Sequence, residues 1–214
     1  IAVRDTIPLE PLQALISNYM GVEEFSYQWM DNRDEVMKLY NAILKTNRKT
    51  YEIVAKGPLK FANYGGNVTP SVIGRKVFRE LYVPCYNECA EIMHKHNKLL
   101  GVHFDGENST IIQDIAGTEL DYIEAYDIGM NPVPSFSETQ KILNDKVLWL
   151  NWPSAWHLNN AETVRDLTVE MLSQANTTDN LIIGITEDVP ADRWQDNFTA
   201  IMDGIDIFEN KHSR

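Results

Sequence analysis

A histidine and an aspartate two residues apart, His103 and Asp105 in "GVHFDGEN" (101–108), close a short apolar run. Side chains two apart on a strand point to the same side. The pair could therefore supply two ligands of one metal ion, or a general base with the carboxylate that orients it. The same spacing also suits an ion pair that only satisfies a buried histidine. Glu187, at the end of the later run "LIIGITED", offers a third donor. A histidine with two carboxylates is a mixed nitrogen and oxygen set, suited to zinc, manganese or iron(II). "TED" reads equally well as an acidic loop in which Thr186 caps the last helix.

Four further side chains stand where they could position a substrate by hydrogen bonds: Asn63, Tyr64, Glu124 and Asn151. The "GGN" after Tyr64 would let a backbone approach a ligand closely, or simply make a tight turn. His94 and His96 belong at a helix C-terminus, where cationic groups suit the dipole. Cys85 and Cys89, four apart in a helical pattern, read as packed thiols on one helix face.

The elements that must hold these groups alternate. Strand candidates are 1–4, 60–64, 99–104, 121–126, 147–152 and 181–186, each short and mostly apolar. Helical periodicity fills the gaps: over 31–57, Val36, Leu39, Tyr40, Ile43 and Leu44 form one stripe, with Gly57 as the stop. Thr69 and Pro70 open the next helix as N-cap and first helical residue, and Pro84 should kink or divide it. An Asn-capped helix over 159–176 and a last helix over 189–210 follow.

Strand and helix in alternation argue for a parallel α/β fold. No G-x-G-x-x-G fingerprint follows a strand, which disfavours a nucleotide-binding open sheet. Polar residues cluster at the strand ends instead, as on the active face of a (β/α)8 TIM-type barrel. Six strands do not close such a barrel, and the chain opens on "IAVRD" without a methionine. The expectation is a fragment holding about six of the eight strands.

The net charge of −12 over 214 residues disfavours binding nucleic acid through its phosphates. No apolar run is long enough for a membrane span, and no signal peptide is visible. With reduced thiols, that makes a cytoplasmic protein the expectation.

The run "FANYGGNVTPSVIGRKVFRELYVPCYNECAEIMHKHNKLLGVHFDGENSTIIQDIAGTELDYIE" (61–124) resembles the uroporphyrinogen decarboxylase superfamily, which includes zinc-dependent corrinoid methyltransferases. "VLWLNWPSAW" stands where that family has its Gly-Asn-x-Asp-Pro turn, and "IIGITEDVPADRWQDNF" where it has a Gly-rich turn before the last helix. The resemblance implies that residues 1–214 are the C-terminal two-thirds of one barrel domain. The methyltransferase branch holds zinc on a His-x-Cys pair and a later Cys. Here His103 matches the histidine, Asp105 stands at the first cysteine, and Glu187 falls at or beside the second. A soft thiolate site has become a carboxylate one.

The first reading is thus a metal-assisted methyltransferase or demethylase. His103, Asp105 and Glu187 would hold a divalent metal, zinc being the first expectation. A partner protein would carry the corrinoid, the substrate would be a small methylated molecule, and a homodimer is compatible with the resemblance. Two alternatives stay open. One is a metal-free porphyrinogen-type decarboxylase, although the decarboxylase histidine of the last strand is Glu187 here, its serine is Asn63, and the "Gly-x-Pro-x-Thr-Leu" turn survives only in part as "RDTIPLEPLQAL". The other is a non-catalytic ligand-binding relative.

Overall fold

The computed structural model describes residues 4–128, 134–185 and 188–212. Six strands occur in it: β1 (Arg4–Ile7), β2 (Phe61–Tyr64), β3 (Leu99–His103), β4 (Tyr122–Asp127), β5 (Val147–Asn151) and β6 (Leu181–Gly184). They follow chain order in the sheet. The helices are α1 (Pro11–Ala14), α2 (Gly21–Asp31), α3 (Arg33–Lys56), α4 (Pro70–Val77), α5 (Val83–Lys95), α6 (Ile112–Ala116), α7 (Phe136–Ile142), α8 (Ala161–Ser173) and α9 (Trp194–His212). Parallel strands in sequential order, with helices between them, are the pattern of part of a TIM-like barrel, and six strands leave it open.

The chain divides into two compact units, Ile1–Glu124 and Ala125–Arg214. In the first, β1, β2, β3 and the start of β4 pair in parallel, with Asn63 beside Gly101 and His103 beside Glu124. Period-2 alternation sorts their side chains. Leu100, Val102 and Phe104 are fully buried, and Phe104 meets Phe78 and Tyr86 edge to face in the helix layer. α5 presents Cys85, Tyr86, Cys89, Ala90 and Met93 to that layer at helical spacing. Both cysteines are free and buried, as packed thiols should be. On the other face of the sheet, Tyr122 lies across Gly101 and its hydroxyl donates to the Ala62 carbonyl at 2.7 Å.

Gly101 is there because a Cβ would fall inside the Tyr122 ring. Gly101→Ala should therefore destabilise the protein by about 3 kcal/mol, the upper part of the range for overpacking. Urea unfolding checks this; a cost under about 1 kcal/mol would show that Tyr122 moves aside freely. In the second unit, Gly184 of β6 meets Trp149 of β5 in the same way.

Several expected boundaries shift. The first strand was expected over 1–4; it runs Arg4–Ile7, and residues 1–3 lie outside the described residues. Arg4 thus opens β1 rather than ending it. The 31–57 helix begins at Arg33 and stops at Gly57, and a separate helix, α2, precedes it. Of the expected stripe, Val36 and Tyr40 are buried while Leu39 is exposed. The buried line continues instead through Asn47, Tyr51 and Val54.

Thr69 occupies the N-cap position of α4, but its hydroxyl bonds the Asn67 carbonyl and caps nothing. The segment is broken at Gly74 (φ 74°), not at Pro84, where the helix runs on without a gap. Pro84 sits in the first turn of α5, directly after a π-helical turn over Phe78–Tyr82, a position where a missing N–H is tolerated. In the second unit Asn160 caps α8 through the Thr163 amide at 2.9 Å. Among the described residues, no helix is long and apolar enough to cross a membrane.

Candidate active site

Glu124 is the centre of the polar group on the inner face of the first unit. Only 2% exposed, it accepts from His103 Nδ1 at 2.6 Å and from Arg4 Nη2 at 3.2 Å. Asn63 Nδ2 lies 3.5 Å from the same carboxylate. Strand register explains the convergence: His103 and Glu124 are direct cross-strand partners, and Asn63 projects from the same face one strand away.

The backbone is shaped to match. The parallel ladder between β3 and β4 ends at Glu124, whose carbonyl accepts from Phe104 N–H at 2.9 Å. Ala125 follows at φ 58°, a left-handed conformation costing a non-glycine residue about 1–2 kcal/mol. Strained backbone of this kind clusters at reacting sites and ligand clamps.

Electrostatics shift both partners towards their charged forms. The hydrogen bond to Glu124 raises the His103 pKa above the ordinary histidine value, against partial burial, with help from the charges of Glu124 and Asp105. Burial by itself would raise Glu124, yet the hydrogen bond and charge of His103, together with Arg4, carry it below the usual carboxylate range. An imidazole that donates Nδ1–H to a carboxylate has its tautomer set. Nε2 is left with no hydrogen-bond partner among the described residues, on a side chain 26% exposed. Such a nitrogen can accept a proton or ligate a metal, because the carboxylate behind it raises its basicity in either role.

Of the expected residues, His103, Glu124 and Asn63 come together. Asn63 Oδ1 is buried with no hydrogen-bond partner among the described residues, the kind of acceptor that a substrate donor or an ordered water would satisfy. Tyr64 points to the helix layer, where its hydroxyl bonds that of Tyr51 and its ring meets Tyr86 edge-on. The reason is period 2: if Asn63 faces the site, Tyr64 cannot. Asp105 follows the end of β3 and lines a hollow of about 310 Å³ with Asn67, Thr69, Ser71 and Glu107. Asn151 ends β5 in the second unit, buried beside Gly184. Glu187 lies outside the described residues.

The glycines after Tyr64 serve the protein itself. A Cβ on Gly66 would stand 2.6 Å from His103 Cβ, and one on Gly65 would meet Glu10 and Leu9. Glu10 itself was not foreseen. It is fully buried, accepting from Tyr86 Oη at 2.6 Å and from Gly66 N–H at 3.3 Å, and burial pushes its carboxyl up to about 7. A lone acid within "IPLEPLQALI" was the available signal. Among the described residues, no three His, Cys, Asp or Glu side chains are grouped to hold a metal ion.

Comparison with protein-family models finds no match, and neither does comparison with curated proteins. Among solved structures, a methyltransferase from Methanosarcina mazei is similar at a TM-score of 0.71 and 14% identity, over 96% of this chain and 59% of that one. The chain spans less than two thirds of that protein's length. At this identity the likeness is one of fold, and it agrees with the TIM-like reading of the strand order.

Proposed function

We propose that this chain is the catalytic part of a methyltransferase-like enzyme, in which His103 presents Nε2 to the site as a metal ligand and Glu124 orients it. The observation that carries the reading is the short Nδ1 bond to a carboxylate 2% exposed, itself paired with Arg4. The fold likeness to a methyltransferase supports the choice of reaction, and membership of the uroporphyrinogen decarboxylase superfamily is part of the same proposal.

The substrate is a small methylated molecule, and the methyl group passes to or from a corrinoid carried by a partner protein. His103 and Asp105, with Glu187, are the proposed ligands of a divalent metal, which when bound would polarise the accepting or leaving heteroatom. Two of those three residues, His103 and Asp105, lie among the described residues. Glu124 fixes the imidazole through Nδ1, Asn63 Oδ1 offers an acceptor to the substrate, and His103 Nε2 is the ring nitrogen that would hold the metal. A decarboxylase of acidic substrates would need cations to hold them, whereas the Arg4 guanidinium is committed to Glu124.

Metal content by mass spectrometry tests the metal, on full-length protein purified without added metal or chelator. Near-stoichiometric metal is expected, with loss in the Asp105→Ala/Glu187→Ala double variant. Metal that is absent from the wild type, or unchanged in the variant, would overturn the ligand set. Turnover of a methylated donor tests the reaction, and it would exclude a non-catalytic ligand-binding protein.

A further inference from the structure

The loop Gly65–Asn67 is clamped between His103 and a buried polar network in the α1 region. Above it, Asn67 N–H donates to the His103 carbonyl at 3.2 Å, and Gly66 is packed so closely on His103 that no Cβ fits. Below it, Gly66 N–H donates to Glu10 Oε2, and Gln13 Nε2 donates to the Asn67 carbonyl at 2.9 Å. The network is anchored in turn: Tyr86 Oη donates to Glu10 Oε1 at 2.6 Å, and Tyr82 Oη to Gln13 Oε1 at 3.3 Å. Gly65 N–H donates to the Ile7 carbonyl at 3.1 Å, tying the loop to the end of β1 as well.

Burying a carboxyl this completely is costly. Its two acceptor oxygens are divided between a tyrosine and the backbone of a loop that packs on His103. We propose that Glu10 is a positioning residue for His103, acting through Gly66 and Asn67, with Gln13 as its neighbour in the same role. Glu124 sets the rotation and tautomer of the imidazole from one side. Glu10 sets where the backbone and Cβ of that histidine sit, from the other. A shift of even 1 Å at a reacting group is enough to cost substantial activity. The inference rests on the reading of His103 as a metal ligand of the site.

The test uses 15N-labelled protein at one fixed pH and reads two signals: hydrogen exchange of the Gly66 amide, and the His103 ring nitrogen and Nδ1–H resonances. In Glu10→Ala, Gly66 protection is expected to fall about tenfold, and the His103 ring signals to shift or double. Glu10→Gln should retain both. Its amide oxygen can accept from Gly66 while its NH2 donates to Tyr86 Oη. Gly66→Ala, which leaves Glu10 in place, should also displace the His103 signals.

A folded Glu10→Ala protein with unchanged His103 signals overturns the proposal. If that variant does not fold, unchanged His103 signals in Gly66→Ala overturn it instead. Glu124→Gln must move the His103 signals whatever Glu10 does. The underlying functional reading fails separately, if His103→Ala retains turnover.

Discussion

Glu124→Gln should lower turnover of the methylated substrate by about 10–100-fold, the usual worth of a carboxylate that orients a metal-ligating histidine, with little change in KM. Glutamine keeps the shape and can still accept from His103. It cannot supply the charge that holds the imidazole in its tautomer, nor balance Arg4. Stability should fall as well, by about 2 kcal/mol, the cost of leaving a partly buried polar group without its ionic partner. That cost should depend on pH. His103 has a raised pKa in the folded state, so its share of stability is present below about 6.5 and lost as pH rises through the folded value. Glu124 has a lowered one, so its share is present above about 4.5 and lost as pH falls through the folded value. The gap between wild type and variant should therefore be widest between about pH 4.5 and 6.5. Steady-state kinetics and urea unfolding across that range check both parts. A variant with wild-type turnover would remove Glu124 from the mechanism.

Much of this site was legible because period 2 is a strong constraint. Given a strand over "LLGVH" and another over "DYIEAY", a histidine and a glutamate on their inner faces can be named without coordinates. Their partnership could not, since it depends on register, which a single sequence leaves open by a residue or more. Tyr64 shows the cost of that freedom: adjacent to Asn63 in sequence, it belongs to the opposite face and to the aromatic layer with Tyr51 and Tyr86. A strand over 1–4 would have ended on Arg4, yet Arg4 stands at the first residue of β1, and its length carries the guanidinium to Glu124. The strand and helix order was readable from apolar periodicity. The π-helical turn before Pro84 and the left-handed Ala125 were not, because tertiary packing imposes such backbone states against local preference. Glu10 escaped for a related reason. A carboxylate in an apolar segment is ordinarily placed in water, and its partners Gly66 and Tyr86 lie 56 and 76 residues away along the chain.

Glu10→Gln should flatten the dependence of stability on pH between about 4.5 and 7 and leave the variant the more stable protein above pH 7. Burial raises the Glu10 carboxyl from 4.5 to about 7, against the lowering effect of Tyr86 Oη and the amide of Gly66. Between those values the folded protein holds a proton that the unfolded chain has released. Stability must therefore fall as pH rises through this window, the reverse of a salt-bridged carboxylate. The whole shift corresponds to roughly 3 kcal/mol, fully expressed by about pH 8. Glutamine is neutral throughout and pays none of it. Wild type and variant should thus differ least near pH 4, with the gap opening towards pH 8 in favour of glutamine by up to roughly 3 kcal/mol. Taking the difference between the two proteins cancels every other titrating group, so urea unfolding at pH 4, 6 and 8 isolates Glu10. A gap that stays constant with pH would mean that the carboxyl titrates as it does in the unfolded chain. In the expected case, a residue that glutamine could replace with a gain in stability is kept as an acid at that cost.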